Sequence, residues 1–120
     1  MSKNKFIDCV TFFDNNFMFN LRYNILKNYV DYFVICESRY DHKNTKKKLN
    51  FDIRDYDSKK IKYIILDKPC PNNIDILKNQ AIQREHILKN LDFAQPDDYI
   101  FFSDPDEIPN PQIFKNFNLV

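Results

Sequence analysis

Glycine is absent from this chain of 120 residues. The P-loop and the dinucleotide fingerprint both use glycine for a tight turn and for close backbone approach to phosphate, so neither cradle can be built here. A nucleotide diphosphate bound by this chain has to be met otherwise, by a metal on carboxylates or by Arg and Lys side chains. A surplus of one charge is also missing. With 18 basic and 17 acidic residues the formal net charge is +1, and no basic arm argues for nucleic acid. Cys9, Cys36 and Cys70 show no C-x-x-C spacing, and two of them fall in apolar runs where a thiol acts as a small hydrophobe, so reduced structural cysteines are expected. His42 and His86 lack metal-ligand spacing. No apolar run is long enough for a membrane span, and Asp8 and Asp14 interrupt the first one, unlike the core of a signal peptide. A cytoplasmic protein is the expectation. At 43% hydrophobic content the chain can bury one core and forms a single unit, residues 1–120.

What the chain does contain is an apolar run that ends abruptly in acids: Tyr99-Ile100-Phe101-Phe102-Ser103-Asp104-Pro105-Asp106-Glu107-Ile108-Pro109. Such a run bounded by turn residues reads as a buried strand, which puts the acids where the strand leaves the core. Open α/β sheets bind ligands at that place. An extended backbone would set Asp104 and Asp106 on one side, with Pro105 fixing φ between them. Crowded carboxylates repel, a divalent cation relieves the repulsion, and oxygen-only ligands suit magnesium or manganese. The bland alternative is a capped turn before a helix. Asp55-Tyr56-Asp57 serves as an internal control: it lies in a polar stretch and reads as a solvated turn.

The remaining pattern alternates strands with helices. Phe6 to Phe13 is strand-like, and Asp14-Asn15-Asn16 offers N-cap chemistry for a helix whose apolar stripe is Phe17, Leu21, Ile25 and Leu26, with Tyr29 beyond. Arg22 falls near that stripe. Tyr32 to Cys36 is a strand covered on both faces, ending in Glu37-Ser38. Residues 39–60, including Lys46-Lys47-Lys48, read as an irregular connection with a short helix near Phe51 to Tyr56. A third strand covers Ile61 to Leu66. Asn72 or Asn73 then caps a helix running to about Leu91, with Ile74, Leu77, Ala81, Ile82, Leu88 and Leu91 on its buried side. Tyr99 to Phe102 is the fourth strand, and a last short helix carries Ile113, Phe114 and Phe117. This order predicts an α/β fold with a mostly parallel sheet flanked by helices. Three strands end in potential ligand groups: Thr11 with Asp14, Glu37, and Asp104 with Asp106. On residue type alone, Glu37 is equally a cap or a partner for a ribose hydroxyl, and Arg84 reads as a solvated helix charge.

In combination, several segments resemble glycosyltransferase family 17, the β-1,4-mannosyl-glycoprotein 4-β-N-acetylglucosaminyltransferases. The matching pieces, in the family's order, are Ile7-Asp8 through Phe13, Leu21-Arg22, Val30 through Ser38, Thr45-Lys46 with Lys48-Leu49 and Phe51, Gln83-Arg84, Asp97-Asp98, and Ser103 through Pro109. The resemblance covers nearly all of the chain and the amino-terminal half of the family's domain. It implies a truncated GT-A (Rossmann-like) fold in which Asp104 and Asp106 hold Mn2+ or Mg2+ on the diphosphate of a UDP-sugar. It also implies that Thr11, Phe12 and Glu37 lie near the nucleoside, that Arg84 braces the acids or faces the donor, and that the catalytic base lies beyond Val120. The partners it implies are a UDP-sugar donor and a glycan acceptor, together with a missing carboxyl-terminal half or self-association over an exposed sheet edge. Two other readings stand beside a transferase of N-acetylglucosamine with inversion: a non-catalytic sugar-nucleotide-binding module, and a metal-dependent phosphohydrolase using the same acids.

Overall fold

The computed structural model describes residues 5–14, 16–40, 45–67, 76–104 and 106–112, with the backbone only of residues 55 and 76–80. Four strands, β1 (Phe6–Phe12), β2 (Tyr32–Ser38), β3 (Ile61–Leu66) and β4 (Tyr99–Ser103), form one sheet in the order β3-β2-β1-β4. Every pairing is parallel. Among the described residues two helices, α1 (Asn16–Leu26) and α2 (Ile76–Lys89), flank the sheet, and a 3-10 turn at Ile53–Asp55 falls inside the predicted short helix near Phe51 to Tyr56. No helix among the described residues is long and apolar enough to cross a membrane.

β1 and β2 are central strands, and their near-continuous runs of aromatic and β-branched residues are what burial on both faces demands. Period-two alternation divides the side chains between two cores. Phe6, Val10, Phe12, Phe33, Ile35 and Ile61 pack under α1, while Ile7, Cys9, Val34, Cys36 and Leu66 pack under α2. The α1 core is aromatic. Phe19 meets Phe33, Phe51 and Tyr56 edge-on at centroid distances of 5.9, 5.4 and 5.3 Å, so the connection after β2 is anchored through Phe51 and Tyr56. Cys9 and Cys36 are free and buried, as expected, and burial pushes both thiols up to about 12. Cys70 lies outside the described residues.

Two helix faces differ from their predicted phase. On α1 the buried residues are Phe19, Arg22 and Leu26, whereas Phe17 is 78% exposed and Leu21 and Ile25 also face solvent. An i, i+4 row of apolar residues and the row beside it are equally periodic; the structure chooses the row with the large Phe19 ring and an arginine that finds partners. On α2, Gln83 and Ile87 turn inward together with Leu91 beyond the helix, while Ala81 and Leu88 are exposed and Ile82 is half-buried. The expected cap at Asn72 or Asn73, the side chains of Ile74 and Leu77, and the last helix with Ile113, Phe114 and Phe117 lie outside what is described.

The strand order carries the functional consequence. The chain runs β1, β2, β3 outward on one side, then crosses over α2 to place β4 on the other side of β1. The carboxyl ends of β1 and β4 therefore diverge into a topological switch point, the crevice in which open α/β sheets take ligands. Register brings Val10 level with Ser103 and Phe12 level with Glu37, so all three strand ends open on one rim.

Candidate functional site

Beyond Ser103 the chain turns at once. The Glu107 amide donates to the Asp104 carbonyl at 2.9 Å, and the Asp104 amide donates to Glu107 Oε1 at 3.1 Å. The turn is thus closed by its own acids. Asp104 is half-buried, and Asp106 and Glu107 are exposed. Desolvation is the main reason the Asp104 carboxyl sits above the usual carboxylate range; the charge of Glu107, a hydrogen bond with it, and the charge of Asp106 push the same way. Arg84 of α2, exposed, pulls in the opposite direction and is thereby placed within electrostatic reach of Asp104. Asp106, Glu107 and Arg84 thus all act electrostatically on Asp104.

A buried ion pair stands behind the turn. Asp8, in the middle of β1 on the α1 face, is 1% exposed, and Arg22 of α1 is fully buried against it. Arg22 Nε donates to Asp8 Oδ2 at 2.7 Å and Nη2 donates to Oδ1 at 2.5 Å. The rest of the guanidinium reaches across to the acidic turn. Nη1 donates to the carbonyls of Asp104 and Glu107 at 3.1 and 2.9 Å, and Nη2 donates to Ser103 Oγ at 2.6 Å. This pair is a structural feature that the pattern of ligand groups at strand ends passed over, although a signal was present: an Asp inside an apolar strand and an Arg beside an apolar stripe are two charges that burial obliges to pair. Beside the turn opens a cleft of about 380 Å3, lined by Arg22, Phe101, Phe102, Ser103, Glu107 and the Ile108-Pro109 pair. Phe101 and Phe102 point to opposite faces, so the cleft wraps the outer edge of β4.

The other end of the rim is occupied. Glu37 is fully buried, and four donors take its carboxylate: Lys47 Nζ at 2.6 Å, the amides of Asn50 and Phe51 at 2.7 and 3.1 Å, and the Tyr63 hydroxyl at 2.6 Å. Burial and the hydrogen bond to Glu37 hold the Tyr63 hydroxyl well above its ordinary range. Lys47 and Asn50 also reach the Phe13 carbonyl at 3.5 and 3.0 Å, and Asn16 reaches the Asn50 carbonyl at 2.9 Å, so the segment after residue 45 is laced to the end of β1. Among the other predicted residues, Thr11 is half-buried at the rim, and the Phe12 ring belongs to the core, edge-on to Phe51 at 5.4 Å. Phe12 can therefore meet a ligand at the rim only through its main chain.

The acids fit a hard divalent cation. Their side-chain donors are carboxylate oxygens, and the nearby charges of Glu107 and Asp106 add to desolvation in raising the Asp104 carboxyl. Among the described residues no three His, Cys, Asp or Glu side chains converge as a ready-made metal centre.

No curated protein and no solved structure matches the chain. A family model does: that of glycosyltransferase family 17 matches residues 1–118, so the chain belongs to glycosyltransferase family 17 and is, as a member, a glycosyltransferase.

Proposed function

We propose that this glycosyltransferase is metal-dependent and of GT-A type, takes UDP-N-acetylglucosamine as donor, and transfers the sugar with inversion to a glycan hydroxyl. The observation that carries the reading is the seat of Ser103–Glu107: the acidic turn leaves β4 at the switch point beside β1. Asp104 and Asp106 would hold Mn2+ or Mg2+, which when bound supplies charge stabilisation to the departing diphosphate. A glycine-free chain has no backbone cradle for that charge, which is why side chains must supply it.

The chain's own residues divide the remaining work. Arg84, in electrostatic range of Asp104, is suited to the diphosphate. Thr11 and the Phe12 main chain form the β1 end of the crevice and would border the nucleoside. Glu37 supports this wall indirectly, through the segment it holds, because four donors already take its oxygens. The phosphohydrolase reading is the weaker one: it needs further acids or histidines converging at the strand ends, and among the described residues none do.

Calorimetric titration of UDP and UDP-N-acetylglucosamine, with and without Mn2+, tests the reading in wild type and in an Asp104→Ala, Asp106→Ala variant. Mn2+-dependent binding that disappears in the variant is the expected result. Release of UDP on addition of a mannose-bearing glycan then separates a transferase from a module that only binds the nucleotide. Binding that ignores both Mn2+ and the two acids would overturn the proposed site.

A further inference from the structure

We propose that Arg22, pinned by Asp8, is a positioning residue for the acidic turn: it holds Ser103–Glu107 through main-chain carbonyls and one hydroxyl, and so spends none of its own donors on the three carboxylates. The inference rests on the reading of the turn as the cation and diphosphate site, and it explains how a fold can store the charge that such a site requires.

An arginine placed beside acids ordinarily pairs with them in a two-pronged fashion. Arg22 lies against a turn bearing Asp104, Asp106 and Glu107, yet its two-pronged contact goes to Asp8, in a different strand. A guanidinium has five N–H donors. One goes from Nε and one from Nη2 to Asp8, one from Nη2 to Ser103 Oγ, and two from Nη1 to the carbonyls of Asp104 and Glu107. None remains for a carboxylate of the turn. The charge of Arg22 is balanced locally by Asp8, buried in the same spot, so the turn receives geometry from the arginine and little of its charge. Were Asp8 an uncharged residue, the same arginine would act as a resident cation under the turn and compete with an added one.

The Ser103 hydroxyl also donates to the Glu107 carbonyl at 3.3 Å, and Ile108 packs on the α1 core, so the turn is held from β4, from α1 and from its own exit. The connection is long in sequence: residues from the first strand and first helix organise a turn more than eighty positions later, with separations of 82 and 85 for the two carbonyl contacts.

The test is a pair swap, Asp8→Val with Arg22→Met, because replacing a buried ion pair by apolar residues of similar volume commonly preserves stability. Amide hydrogen exchange and Mn2+ affinity are read on the full chain. The expected result is exchange at the Glu107 amide faster by about tenfold or more, with Val34–Cys36 keeping wild-type rates. Mn2+ affinity should fall by about 10- to 100-fold, the usual cost of losing a group that orients metal ligands. Unchanged exchange in the turn, acceleration spread equally over β2, or a loosened turn with wild-type Mn2+ affinity would each overturn the inference. If the swap does not fold, Arg22→Lys keeps the charge, loses the five-donor fan and reads the same contrast. A wild-type chain without Mn2+ affinity defeats the metal reading of the site; the exchange contrast then decides the role of Arg22 alone.

Discussion

Arg22 and Glu37 are both fully buried on the α1 face of one sheet, each paired with a residue of opposite charge, and each ties a loop to a strand end. They leave their surroundings in different states. Around Glu37 the acid itself is the hub, and Lys47, two main-chain amides and Tyr63 consume its acceptors. Around Arg22 the cation is the hub, and it grips main-chain carbonyls and the Ser103 hydroxyl, leaving the acids of the turn to bond within the turn itself. A carboxylate at a strand end is therefore not yet a ligand group. What decides is whether the neighbouring donors point at the carboxylate or past it.

Single substitutions at the first hub should have the largest effect. Arg22→Ala or Asp8→Ala leaves one buried charge uncompensated and should cost about 3–5 kcal/mol in urea denaturation. A loss under about 1 kcal/mol would mean that the pair is not the organising contact.

At the second hub Glu37→Gln keeps the shape but not the charge facing Lys47. A loss of about 1.5–3 kcal/mol is expected, with Mn2+ affinity of the acidic turn unchanged. Loss of Mn2+ binding in this variant would erase the distinction between the two hubs.

An effect confined to alkaline pH comes from the opposite face. Because the fold holds the Cys9 and Cys36 thiols protonated up to about 12 from an ordinary 9.0, the unfolded chain releases these protons first as pH rises. Stability should therefore fall between pH 9 and pH 12, and a Cys9→Ala, Cys36→Ala variant should show a shallower decline over that window in pH-dependent urea melts. An identical slope in both proteins would show that the thiols ionise as freely in the fold as outside it.

The smallest effect on stability is expected for Asp106→Asn. The residue is exposed, so stability should stay within about 0.5 kcal/mol of wild type while Mn2+ binding weakens. A variant of unchanged Mn2+ affinity would remove Asp106 from the site.

The sheet was readable because β1 and β2 are buried on both faces and their runs of Val, Ile, Phe and Cys have no other stable home. The acidic turn was readable for the complementary reason, an apolar strand ending in charge. Helix phase was not: Phe17, Leu21 and Ile25 form as regular a row as Phe19, Arg22 and Leu26, and only tertiary partners for Arg22 select between them. Glu37 read equally as a cap or a ligand group because its partners Lys47, Asn50 and Phe51 come from a connection without periodicity, whose path no local pattern specifies. Asp8 carried a signal of its own, since a lone acid inside a buried strand has to find a cation.

In the proposed function the acidic turn at the junction of β1 and β4, and not the Glu37 end of the rim, receives the cation with the donor diphosphate. Paramagnetic broadening of backbone amide resonances by Mn2+ in the presence of UDP tests it most directly. Broadening centred on Ser103–Glu107 and extending to the end of β1 at Thr11 is expected, with the amides of Asn50 and Phe51 much less affected. Broadening centred on Asn50 and Phe51, or spread without a centre over the surface, would contradict it.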